Sequence, residues 1–338
     1  MPIDPASLAF VAAVLCAGVM GFAIQRGGTC TVAAVDEVID KRRFNRLTAM
    51  AEASLWVAGA LVLASVLHAL GKPPTSYAWS RWTVLGGALL GFGAFVNGAC
   101  VFGAIARLGS GEWAYAVTPL GFYVGCASVG PVFAPPAPQH IDAISPVLQV
   151  SPWLALPFTA FVVWRLSRPL LGGRAARSAG TAVRGVWSPH GATTVMGLSF
   201  VSMIFLVGSW AYTEALADLA RGMSSGLLAK SLLALALFGG ALWGGWSAGR
   251  WRSTGVTLTQ LLCCFAGGVL MGWGSLLIPG ANDGLILIGM PLLWPYAWLA
   301  FLTMCASIGL ALLTQRVLRL RSRSAEAGPV ARDSGRAK

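Results

Sequence analysis

The sequence predicts an all-α polytopic membrane protein of about nine transmembrane helices and four short half-helices, arranged as two inverted-topology repeats. Three observations predict it. Of 338 residues, 56% are hydrophobic and only 11% charged, and the mean hydropathy is +0.71. The apolar residues fall in runs long enough to cross a hydrocarbon core. The stretch GFAIQRGGTC at 21–30 returns as GFGAFVNGAC at 91–100, with Gly-Phe opening and Gly-x-Cys closing each copy.

The spans read, in order, 7–24, 47–70, 81–97, 111–130, 150–166, 192–208, 226–247, 257–278 and 292–314. The first run carries no basic residue before it, unlike a secretory signal peptide, so it is expected to stay as a span. Trp79, Trp82, Trp113, Trp153, Trp187, Trp294 and Trp298 lie near run ends and fit an interfacial belt. Four shorter apolar pieces, 29–39, 100–108, 210–221 and 281–290, fall between spans. At about 1.5 Å per residue they cannot cross about 30 Å of hydrocarbon. They are expected to be half-helices, which lipid tolerates only where protein or a water-filled cavity covers them.

The net charge of +12 comes from basic residues gathered between apolar runs. That pattern is positive-inside topology, and it argues against a nucleic-acid partner. Lys41, Arg42, Arg43 and Arg46 precede the second span, and Arg165, Arg168, Arg174, Arg177 and Arg184 fill a central loop. Arg250 and Arg252 follow the seventh span, and Arg316, Arg319, Arg321 and Arg323 begin the tail. With nine spans, a periplasmic N-terminus and a cytoplasmic C-terminus place all but Lys72, Arg81, Arg221 and Lys230 inside. The loop APPAPQH at 134–140 reads as a stiff connector, and the tail at 324–338 as disordered.

Each half reads span, short piece, span, twice over. The first half is 1–149 and the second 192–323. The linking span and basic loop at 150–191 invert one half relative to the other. Broken helices in corresponding places of two inverted halves are the mark of a transporter site at the bilayer midplane.

The breaks fall at Gly27-Gly28, Asn97-Gly98, Gly208 and Pro279-Gly280. Each short helix is expected to start toward the membrane interior, with Thr29, Asn97, Ser209 and Asn282 or Asp283 as N-caps. Unpaired N–H groups and positive dipole ends then converge on an anion. Cys30 and Cys100 sit in the first turns of two of these helices. A neutral thiol is a weak donor, which suits a substrate that must be held and then released. The bland reading, small cysteines packing where helices approach closely, stands beside it. Arg26 is expected to concentrate anions at the inner mouth, and Gly28 and Gly98 to let the backbone approach the substrate. Glu112 begins a span, and Glu214 and Asp218 share one face of a short helix. Cys16, Cys126 and Cys305 are read as core residues. Three histidines do not offer the facing pair a haem needs, and no nucleotide motif is present, so no cofactor and no metal are expected.

The stretches GFAIQRGGTCTVAA, GFGAFVNGACVFGAIARLGSGE and GGVLMGWGSLLIPGANDG, taken in order, resemble the YeeE/YedE family of sulfur-transport membrane proteins. The resemblance covers essentially the whole chain. It implies thiosulfate uptake across the bacterial inner membrane through an hourglass of inverted repeats, with cysteines relaying the ion by S–H···S contacts. Two family cysteines fall on Cys30 and Cys100. A third falls on residue 281, which is Ala here, with Asn282 and Asp283 beside it. Asp283 is expected to accept nearby backbone N–H groups. Cys263 and Cys264, about five helical turns upstream of residue 281, are not expected to replace the missing thiol. The partners so implied are a small inorganic anion and the lipid bilayer. Another sulfur or selenium oxyanion, or a membrane thiol-redox enzyme using the same cysteines, are the alternatives. Facilitated diffusion, ion coupling and a cytoplasmic sulfur-accepting protein stay open.

Overall fold

The computed structural model describes residues 7–68, 76–142, 144–171, 185–223, 226–249, 251 and 253–326. Lys72, Arg174, Arg177, Arg184, Arg250, Arg252 and the tail from 327 lie outside the described residues.

The chain is an all-α polytopic membrane protein. In order the helices are α1 Leu8–Gly27, α2 Thr31–Lys41, α3 Asn45–Val66, α4 Arg81–Asn97, α5 Val101–Gly109, α6 Thr118–Phe133, α7 Pro146–Gln149 and α8 Ser151–Leu171. There follow α9 Pro189–Val207, α10 Tyr212–Ala220, α11 Leu227–Ser247, α12 Leu258–Leu277, α13 Asn282–Gly284 and α14 Pro295–Glu326. A 3₁₀ turn, Trp113–Val117, leads into α6, and a π-helical turn, Leu285–Gly289, continues α13. Long helices start where the sequence supplies caps. Ser80 and Thr257 open α4 and α12 with capping boxes, and Ser188 caps α9 ahead of Pro189.

Eight helices among the described residues are long and apolar enough to cross a membrane. The ninth expected span is a helix of matching length, α8, which stands outside those eight. It leans on α3, where the Phe158 ring sits against Gly59, 1.9 Å from where a Cβ would stand. At the end of that contact Glu52 of α3 accepts from Arg165 Nε at 2.9 Å and from Thr194 Oγ1 at 3.2 Å, and lies 2.5 Å from His190 Nδ1. One carboxylate thus ties α8, α3 and α9 together. The final helix runs to Glu326, past the point at 324 where a disordered tail was expected. Two-residue strands, β1 Ser76–Tyr77 and β2 His140–Ile141, pair antiparallel where only a connector was expected. Trp294, read as a belt residue, is instead 3% exposed.

The spanning helices pack as two groups: α1 with α3, α9 and α11, and α4 with α6, α12 and α14. Contacts come in exchanged pairs. α1 packs on α11 as α9 packs on α3, and α4 packs on α14 as α12 packs on α6. Small residues bring the backbones together, as expected where lipid offers no hydrophobic drive. A Cβ on Gly240 of α11 would stand 1.9 Å from the Gly18 carbonyl of α1, and one on Gly21 1.8 Å from the Leu237 carbonyl.

Gly239 and Gly240 are neighbours with opposite surroundings, since a Cβ on Gly239 meets nothing within 4 Å. Gly240→Ala is expected to force α1 and α11 apart, cost about 1–3 kcal/mol and lower the unfolding temperature in detergent. Gly239→Ala is expected to leave it unchanged or slightly raised.

Candidate functional site

Four short helices, α2, α5, α10 and the α13 turn, begin deep in the protein. Their N-caps are Cys30, Cys100, Ala211 and Ala281, each with extended backbone. This corrects the expectation of Thr29, Asn97, Ser209 and Asn282 or Asp283. Gly28 and Gly98 end α1 and α4 in the left-handed region, φ 56° and 73°, a conformation that favours glycine. One further residue is then needed before the next helix can start, so the cap falls on the cysteine. Asn97 is the last residue of α4, not a cap. Its Nδ2 donates to the Ala99 carbonyl at 2.7 Å and its Oδ1 accepts from Thr118 Oγ1 at 2.9 Å. It braces the break.

None of the four starts has a side-chain capping hydrogen bond. At the start of α2 an orphan amide meets sulfur instead. The Thr31 N–H donates to Cys100 Sγ at 3.1 Å. That bond, made by the residue next to Cys30, brings the two cysteine-bearing helix starts together. The Cys30 sulfur rests over Gly103, where a Cβ would stand 2.5 Å away. Cys30 is 9% exposed and Cys100 fully buried, and all seven cysteines are free.

Two cavities flank these tips. The first, about 660 Å³, is lined by Cys30, Gly28, Gly98 and Gly103, and toward its mouth by Arg46, Arg107, Arg316 and Arg319. Arg46 Nη1 donates to the Gly28 carbonyl at 2.9 Å. Arg107 bonds the Tyr115 hydroxyl at 2.9 Å and Glu112 at 3.3 Å. Arg316 pairs with Asp36 at 2.8 Å. Arg26, expected at this mouth, is not among the lining residues. It is 1% exposed, bonds the Gly185 carbonyl and Ser247 Oγ at 2.9 and 2.8 Å, and stacks over Phe22. It falls on the side of α1 that packs inward, so it fastens helices rather than meeting solvent. Arg46 and Arg107 are the cations sequence reasoning missed. A side pocket of about 220 Å³ shares Gly98 and Arg107 with this cavity and reaches Cys263 and Cys264, so these two thiols lie nearer the site than their position along the chain suggested.

The second cavity, about 540 Å³, is lined by Ala281, Asp283, Thr213, Glu214, His140, Tyr77, Arg221 and Tyr296, among others. Asp283 is 3% exposed. Its Oδ1 accepts from Thr213 Oγ1 at 2.6 Å and from the Gly284 N–H at 3.1 Å. That hydrogen bond joins the tips of α10 and α13, as the Thr31–Cys100 bond joins those of α2 and α5. Asn282 is fully buried, and its side-chain amide has no hydrogen-bond partner among the described residues; nor has the Thr31 hydroxyl. The cavities lie toward opposite ends of α14. Tyr296 lines one and Leu312 the other, about 24 Å apart along a helix.

A family model described as sulphur transport matches residues 26–310. No curated protein matches the chain.

The burial difference between the two thiols has a direct consequence. A small alkylating reagent such as N-ethylmaleimide is expected to modify Cys30, which lines a cavity, well before Cys100. Peptide mass spectrometry over a time course reads the order, and equal or reversed rates would contradict the arrangement.

Proposed function

The chain belongs to the sulphur transport family, and on that premise we propose that it carries a small sulfur-containing anion, thiosulfate first among them, across a bacterial inner membrane. The observation that carries this reading is the junction of the Cys30 and Cys100 helix starts, with Cys30 lining one of two cavities placed toward opposite ends of one spanning helix. An anion entering the neck meets helix starts whose amides no side chain has capped. Neutral thiols then offer weak donors to a soft sulfur acceptor, and weak donors release what they hold. The unpartnered amide of Asn282 stands beside Ala281, where the resemblance would place a third thiol, and supplies a donor there. Gly28 and Gly98 admit the backbone to the path, and the arginines of the first cavity attract or receive the anion.

Two inverted halves, 1–149 and 192–323, explain the exchanged helix contacts and the matching tip-to-tip bonds. The basic residues favour the first cavity as the cytoplasmic one and the N-terminus as periplasmic. A cytoplasmic sulfur-accepting protein would find its anion there. We read the protein as a carrier and not an enzyme.

One observation favours a second reading. Two free thiols on adjoining helix starts are also what a redox enzyme needs. A Cys30–Cys100 disulfide that forms and breaks with turnover, seen by mass spectrometry of trapped protein, would support it.

In proteoliposomes, labelled thiosulfate uptake is expected to fall at least about tenfold, the order of one lost charge-assisted contact, in both Cys30→Ala and Cys100→Ala, with protein yield intact. Uptake unchanged in both would end the thiol pathway. Competition by sulfite or selenite tests the choice of anion.

A further inference from the structure

We propose that Asp283 is a proton-binding residue of the neck, and that an anion passes it only while its carboxyl carries a proton. The inference rests on the transport reading above and deepens it, since it sets the charge that may cross.

Asp283 lines the second cavity beside Ala281 and is nearly fully buried. It accepts hydrogen bonds from the Thr213 hydroxyl and the Gly284 amide, both on Oδ1, and no cation pairs with it among the described residues. The cations nearby are engaged or distant. Lys230 is bound to Asp218 on the same short helix as Thr213, and Arg221 lies at the far end of α10. The other ionisable groups facing Asp283 are Tyr212 and Glu214 of α10, Cys100 behind Tyr212, Tyr296 of α14, and Tyr77 and His140 of the β pair. None supplies a fixed positive charge.

A buried carboxylate beside a dianion is two like charges in a low-dielectric site, and each disfavours the other. The second cavity provides the water from which a proton can reach Asp283 and to which it can return. Binding of the proton and of the anion are therefore linked, each favouring the other. The protonated acid also becomes a donor, aimed into a neck whose third thiol position is alanine. Glu214 lines the same cavity but is exposed there, unlike the buried Asp283.

The test is thiosulfate counterflow in proteoliposomes at equal pH on both sides, which needs no gradient. Wild-type exchange is expected to decline as pH rises, approaching about tenfold per pH unit once Asp283 ionises. Asp283→Asn is expected to lose that slope. Thr213→Val, which removes a donor to the ionised carboxylate, is expected to keep the slope and move it to higher pH. A flat wild-type profile would overturn the inference while leaving the transport reading intact. So would an Asp283→Asn slope like the wild type, which would belong to Glu214 or His140. Should Asp283→Asn fail to exchange at all, an unmoved Thr213→Val profile would overturn it and an upward move would support it. No counterflow by the wild type would remove the transport reading and this inference together.

Discussion

Helix starts buried in a membrane protein are the constraint on which the rest depends. The first amides of a helix have no partner within it, and hydrocarbon supplies none. This chain places four such starts at its centre without a single side-chain cap. They are tolerable there because the spanning helices, brought within backbone contact by glycine, wall them from lipid. They are also partly satisfied by one another. The Thr31 amide at the tip of α2 donates to the sulfur at the tip of α5, whereas the tips of α10 and α13 are joined through the Thr213 hydroxyl and the Asp283 carboxylate, which also accepts from the Gly284 amide. On the proposed transport reading, a neck built from such tips would exchange those internal partners for an anion.

The two ends of the neck are chemically different although their backbones correspond. One pair of tips carries two thiols below a cavity rich in arginine. The other carries alanine, asparagine and an aspartate held by threonine, below a cavity with carboxylates, tyrosines and one arginine. On the proposed transport reading, soft donors on one side and a hydrogen-bonding acid on the other would give the anion a graded path rather than a single deep site. That is the condition for passage as opposed to storage.

Much of this was legible in the sequence. The short pieces at 29–39, 100–108 and 210–221 are helices close to the expected bounds, and the fourth becomes one α-turn running into a π-turn. The breaks fall at the glycines because left-handed backbone there favours that residue. The cap positions were not legible, because they depend on how many residues the chain spends leaving a left-handed turn. Arg26 was misplaced for a different reason. An apolar helix buried on several sides shows no polar face from which to read the direction of one arginine, and α1 is of that kind. Arg46 was invisible as a site residue because its bond to the Gly28 carbonyl is made across eighteen residues by the fold alone. The bond from Thr31, beside Cys30, to Cys100 spans sixty-nine residues. Repeat logic suggested that both approach one passage, but not that one helix would donate to the sulfur of the other.

The account turns on whether the anion rests between those two sulfurs. Crystals soaked with selenosulfate, in which selenium replaces one sulfur of thiosulfate, would report its place by anomalous scattering at the selenium edge. The account expects one strong peak at the neck, in contact with the side chains of residues 30 and 100. A peak confined to the arginine-lined mouth, or none at saturating concentration, would contradict it.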